Sequence, residues 1–345
     1  MRIPLPLAWL LLIATFGTAA LLRQFHDSTP LAPNVSPVVG SALFAAIFLL
    51  LLVTARELRR EVPHDGKGIR LAQLTPIMLI LLVEKWVSTF IYPALFNAIA
   101  PRHLDPRFAD ALFRAFAGVS LIIVCVVIGF VTVPTLRKTW RRARPARWPA
   151  AALGLLCVVA GGYFLLGALS AALGGELKLA LPENNPLFVW IVGGQSLLAF
   201  SEELYYRGLL LWEMLRLAPL LGIHHAAGRR WLALGSTSLL FGLEHLRLGP
   251  PWDRSFRELV FVVSLGLLFG ILVMVSSNLH YAAGVHAWIN WLLLGAAPYF
   301  VDSLGRAALP AGTYIGVTLI LAFLLTYTVR LWNRRVAYRE PLLES

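Results

Sequence analysis

Charge is what this chain has least of. Asp, Glu, Lys and Arg make up only 14% of its 345 residues, where a soluble domain carries about a quarter. With 58% hydrophobic residues and a mean hydropathy of +0.73, that shortage excludes water as the solvent for most of the molecule. Acidic residues number 18 against 30 basic ones, a net charge of +12. In a soluble domain such a balance would suggest nucleic-acid binding, but here the basic residues gather in short segments between apolar runs. No nucleic-acid partner is expected, and the clusters read as topology signals and contacts for anionic lipid. The two cysteines, Cys125 and Cys157, lie inside apolar runs without Cys-x-x-Cys or Cys/His spacing, which excludes a disulfide framework and a structural zinc site. There is no repeat of 20–50 residues and no loop beyond about 20, so no separate soluble domain fits. What the protein does happens in or near a bilayer.

Long apolar runs are there in number. A spanning helix needs roughly 20 mostly apolar residues, and ten stretches meet or approach that: 5–22, 37–55, 74–98, 117–136, 148–173, 188–212, 231–248, 257–277, 281–297 and 313–332. The fold class is therefore an all-α, polytopic transmembrane bundle of about ten spans. The first span has the outline of a signal peptide, with Arg2 ahead of an apolar run, but nine spans behind it favour a retained helix. With the N-terminus inside, nineteen Lys and Arg fall in cytoplasmic segments and nine outside, which places both termini in the cytoplasm. The 26 Arg against 4 Lys suit a GC-rich bacterial coding sequence, hence a bacterial inner membrane. The basic run from Arg137 to Arg147 divides an accessory bundle at 1–147 from a functional core at 148–297, and 298–345 forms a last helix with a basic tail.

Nearly all intramembrane polar residues belong to the core. Charged side chains at bilayer depth cost about 2.5 to 3.5 kcal/mol each on insertion scales, yet the sixth span reads Ser201-Glu202-Glu203-Leu204-Tyr205-Tyr206-Arg207-Gly208. Glu203 and Arg207 stand four apart, the spacing of an ion pair on one helical face, and Glu202 lies about 100° away around the helix. The seventh span contributes Phe241, Glu244 and His245; the ninth contributes His286 and Asn290, again four apart. A carboxylate, a histidine and a His/Asn pair are the parts needed to activate water and hold an oxyanion, which points to hydrolysis of an acyl bond. In the first half, the adjacent Glu84-Lys85 fits a structural polar contact better than a substrate path.

Glu-Glu-x-x-x-Arg at 202–207, Phe-x-x-x-His at 241–245 and His-x-x-x-Asn at 286–290, in this order on successive apolar helices, resemble the signature motifs of the CAAX prenyl protease and bacteriocin-processing (CPBP, or Abi) family of intramembrane proteases. Leu265–Gly270, a small-x-x-x-small surface for close helix packing, stands where that family has a glycine-rich helix. The resemblance covers about 148–297. It implies that Glu202 and His245 activate the attacking water, that His286 and Asn290 hold the oxyanion, that Glu203 and Arg207 orient the site, and that Phe241 packs beside it. Glu244 departs from the pattern, which has a small apolar residue before the histidine. The implied substrate is a membrane-associated protein or peptide: a prenylated CAAX-type protein, a peptide precursor, or a protein with a C-terminal sorting helix as in the myxosortase-like branch.

Three alternatives stay open. Glu202, His245 and His286 could ligate zinc, although no His-Glu-x-x-His is present and Asn290 suits oxyanion binding, so a metal-independent glutamate protease with no cofactor is the expectation. A proton-coupled or small-molecule transporter would use similar residues, but should show two corresponding halves. A catalytically silent scaffold or immunity protein of the same fold is the third.

Overall fold

The computed structural model describes residues 2–28, 69–91, 96, 106–132, 186–245, 252–276 and 279–290. The expected spans at 37–55, 148–173 and 313–332 and the basic run at 137–147 lie outside the described residues. Among those described, the architecture is helical apart from one short antiparallel pairing, in which β1 (Arg2–Ile3) meets β2 (Ile69–Arg70) with Arg2 opposite Arg70 and Ile3 opposite Ile69. The helices are α1 (Leu5–Ser28), α2 (Leu71–Trp86), α3 (Pro106–Thr132), α4 (Pro186–Glu203), α5 (Leu211–Leu217), α6 (Ala226–His245), α7 (Trp252–Ser276) and α8 (Leu279–Asn290). Proline opens both α3 and α4, where its fixed φ suits the first turn and its missing N–H leaves no bond unmade.

The expected span at 188–212 is more elaborate than a single α-helix. α4 runs into a π-helical segment, Leu204–Leu210, and then into α5. All seven residues of that segment are buried, Arg207 among them. A second π segment, Val87–Ile91, follows α2. Beyond α5 the chain turns at Gly222, whose φ of 86° lies in the left-handed region that only glycine enters at no steric cost. Ile223 N–H bonds Ala218 O at 2.9 Å and Gly222 N–H bonds Pro219 O at 3.1 Å, the pair of bonds that closes a Schellman cap. α6 begins at Ala226, earlier than the expected 231, and its last described residue is His245.

The chain forms two compact units made of alternating pieces: Met1–Leu104, Val119–Ala143 and Leu204–Leu267 in the first, and Asp105–Gly118, Arg144–Glu203 and Leu268–Ser345 in the second. In the first unit α1 packs along α2 and against α6, while α2 also meets α5 and the Leu204–Leu210 segment. Its core includes Leu74, Ile77, Leu79 and Leu81 of α2 with Leu209, Leu210, Leu211 and Met214. In the second unit α4 and α8 pack against each other, burying Ala199, Ala282 and Val285.

The placement of charge inverts what water imposes. Lys85, Glu203, Arg207, Glu213 and Glu244 are buried, while Leu10, Ile13, Ile123, Trp231 and Phe256 are more than half exposed. Charged residues are almost never fully buried unless paired, and exposed apolar side chains on helices are what lipid solvates. Among the described residues one helix, at Glu258–Val275 within α7, is long and apolar enough to cross a membrane; Leu5–Ala19 and Ala111–Val126 are shorter apolar helices.

Candidate functional site

In the second unit the end of α4 meets α8 through three ionisable side chains. His286 Nδ1 donates to Glu203 Oε1 at 2.9 Å, and His286 Nε2 stands 3.5 Å from Glu202 Oε2. The imidazole is thus held between two carboxylates, one at each ring nitrogen. The α-helical wheel places Glu202 and Glu203 about 100° apart, but a ring lying across the helix reaches both. His286 is also stacked on Phe269, with centroids 4.9 Å apart and planes at 20°. Asn290, one turn further along α8, is buried as well. Glu203 is 0% exposed, whereas the Glu202 side chain keeps 16% exposure. Of the two side chains Glu202 is the more exposed, although its Oε2, facing His286, is buried.

The first unit holds the remaining motif residues. His245, at the end of α6, bonds through Nδ1 to the Phe241 carbonyl at 2.7 Å. A carbonyl only accepts, so Nδ1 carries the proton and Nε2 of the neutral ring keeps its lone pair. The His245 ring also rests on Phe241, with centroids 4.3 Å apart. Arg207 donates from Nη2 to Gly266 O at 2.9 Å, and its guanidinium lies over the Phe241 ring, 4.7 Å from the centroid. Sequence spacing pairs Glu203 with Arg207 across one α-helical turn. One bond of Glu203 goes to His286 and one of Arg207 to Gly266, and the turn after Glu203 is π-helical, with i→i+5 bonds rather than i→i+4. Such π turns recur at functional sites.

Gly266 makes this arrangement possible. A Cβ there would sit 3.0 Å from the Ser238 Cβ and 3.1 Å from its Cα, so α6 and α7 approach closely because the side chain is missing. The small-residue surface expected at Leu265–Gly270 is realised at this position.

Residues 184–292 match the family model described as type II CAAX prenyl endopeptidase Rce1-like. This segment is thus similar to the CAAX-protease family. No curated protein and no solved structure matches the chain. The CAAX-protease segment starts just before α4 and ends just after α8, so it contains Glu202, Glu203, Arg207, Phe241, His245, His286 and Asn290.

Among the described residues no group of three His, Cys, Asp or Glu side chains is arranged to hold a metal ion. Glu202 and His286 Nε2 supply two donors facing one another, whereas a catalytic zinc takes three protein ligands and an open position.

Two features escaped sequence reasoning. Phe269 is the platform for His286, and an aromatic residue on an apolar helix carries no signal of that role. The other is a buried cluster beside His245. Glu244 accepts from Tyr206 Oη and pairs with Lys85 Nζ at 2.7 Å, and Lys85 also pairs with Glu84 at 2.9 Å. Both ends of this link stand out in the sequence, Glu244 as the departure from the family pattern and Glu84-Lys85 as adjacent opposite charges in an apolar span.

Proposed function

We propose that the chain is a polytopic membrane endopeptidase that hydrolyses a peptide bond in a membrane-associated protein or peptide, in C-terminal or leader processing, by a glutamate-based mechanism without a metal. The observation that carries the reading is the Glu202–His286–Glu203 cluster within the CAAX-protease segment. Glu202, the more accessible carboxylate, takes a proton from water as its oxygen attacks the scissile carbonyl carbon. His245 assists through Nε2, whose lone pair is left by the Nδ1 bond to Phe241 O. Asn290 offers its amide N–H to the developing oxyanion, and His286, oriented by Glu203 and Phe269, joins it as the doubly protonated ring, because its Nδ1–H is already given to Glu203 and only Nε2–H is left to donate. Collapse of the tetrahedral intermediate breaks the C–N bond, and the proton first taken from water passes to the leaving amine.

The membrane setting rests on composition and on the inverted burial of charge and apolar side chains. The proposed topology is ten spans with both termini cytoplasmic in a bacterial inner membrane. In it, 1–147 forms an accessory bundle, 148–297 the protease core, and 298–345 a last helix and basic tail, with anionic lipid at the basic loops. Candidate substrates are those of the resemblance: CAAX-type proteins, peptide precursors and proteins with a C-terminal sorting helix.

The test is cleavage of membrane-anchored candidates by purified protein in liposomes, comparing wild type with Glu202→Ala and His245→Ala, with and without a strong chelator. Activity lost in both variants and kept in chelator supports the proposal. Loss in chelator, restored by zinc, would turn the same residues into a metal site. Equal behaviour of wild type and folded variants on every substrate would move a transporter or a silent scaffold ahead.

A further inference from the structure

We propose that Lys85 is a positioning residue for His245, acting through Glu244, so that the helix α2 of the N-terminal segment is part of the catalytic apparatus rather than an accessory to it. Glu244 and His245 are the last two described residues of α6. A buried carboxylate needs compensation, and Glu244 is only 4% exposed. Its stability at that place depends on Lys85 Nζ at 2.7 Å and on the Tyr206 hydroxyl. Lys85 is 2% exposed and, buried in an apolar helix, pairs with two carboxylates, Glu84 and Glu244.

The tie continues to the imidazole. The Tyr206 ring packs edge-on against Phe241, with centroids 5.0 Å apart. Phe241 in turn supports His245 twice, by ring contact and by its carbonyl. One contiguous chain of buried contacts thus runs from Lys85 through Glu244 and Tyr206 to Phe241 and His245, all within the first unit. It joins the two oddities of the sequence: Glu244 stands where the family pattern has a small residue because Lys85 stands opposite it.

The inference rests on the protease reading, and its test separates the two. Removing Lys85 alone leaves buried carboxylates uncompensated and risks unfolding, so the informative variant is the neutral, near-isosteric Glu84→Gln/Lys85→Met/Glu244→Gln, with Lys85→Arg as the conservative control and Glu202→Ala as the inactive one. The neutral variant is expected to stay folded and lose about 10-fold or more in kcat with KM within about 2-fold, as small misplacements of a catalytic group do. Lys85→Arg is expected to retain most of the activity. A folded neutral variant with wild-type kcat, or a loss confined to KM, overturns the proposal. If the triple variant does not fold, Glu244→Gln alone is measured against the same two outcomes. If wild type cleaves no better than Glu202→Ala, the protease reading fails. The tie is then judged by diethyl pyrocarbonate modification of His245, read by mass spectrometry. Faster modification in the neutral variant supports it, and an unchanged rate overturns it.

Discussion

Glu202 and Glu203 are neighbours in sequence with the same side chain, and their surroundings separate them. Glu203 is enclosed, its Oε1 taken by the Nδ1 proton of His286, while the Glu202 side chain keeps 16% exposure although its Oε2, the atom beside Nε2, is buried. Glu202→Gln should therefore lower kcat by about 10²- to 10⁴-fold, the usual contribution of a general base, measured on a membrane-anchored substrate with helical content unchanged. Asn290→Ala should cost about 10²- to 10³-fold in kcat, the scale of one oxyanion donor, with KM little altered. A comparable loss appearing in KM alone would assign Asn290 to substrate binding instead. The residue types were legible: order and spacing marked Glu202, His245, His286 and Asn290 as candidates. That both carboxylates flank His286 was not, because a helical wheel describes one helix and the imidazole belongs to another.

At the scale of elements, two backbone devices set the neighbourhood of Arg207. The π segment Leu204–Leu210 alters the turn on which Arg207 is carried, and Gly266 offers the carbonyl that receives its guanidinium. Gly266→Val would drive a branched side chain into Ser238. Overpacking of this kind costs about 1–3 kcal/mol, so the variant should unfold at lower temperature in a detergent melt, with an accompanying loss of activity as the Arg207 acceptor shifts. An unchanged melting temperature would mean that α6 and α7 can separate without cost. The glycine-rich surface could be anticipated from Leu265–Gly270. The π turn could not, since apolar residues such as Leu204, Leu209 and Leu210 sit equally well in either kind of turn and only the packing around them selects the bond pattern.

For the whole molecule, the shortage of charge and its distribution among loops underlie the proposed topology, with both termini inside. Single cysteines placed near residue 2 and near residue 340, in a background with Cys125 and Cys157 replaced, should be shielded from an impermeant thiol reagent in intact cells and labelled once the membrane is permeabilised. Labelling of either terminus in intact cells would reverse the orientation or change the number of spans. The chelator experiment belongs here too: cleavage is expected to persist, because the sequence has no His-Glu-x-x-His and Asn290 beside His286 suits oxyanion binding better than ligation.

Composition and motif order alone were enough for an apolar, helical, lipid-solvated chain and for the family of its segment at 184–292, because hydropathy and motifs are local properties that survive without coordinates. The division of labour between Glu202 and Glu203, the stacking of His286 on Phe269 and the tie from Lys85 to Glu244 were decided by tertiary structure. Each joins side chains far apart in sequence, and charges buried away from water must find partners wherever the packing of helices brings them. Lys85 was visible as an anomaly from the start; only its distance to Glu244 gives that anomaly a physical cause.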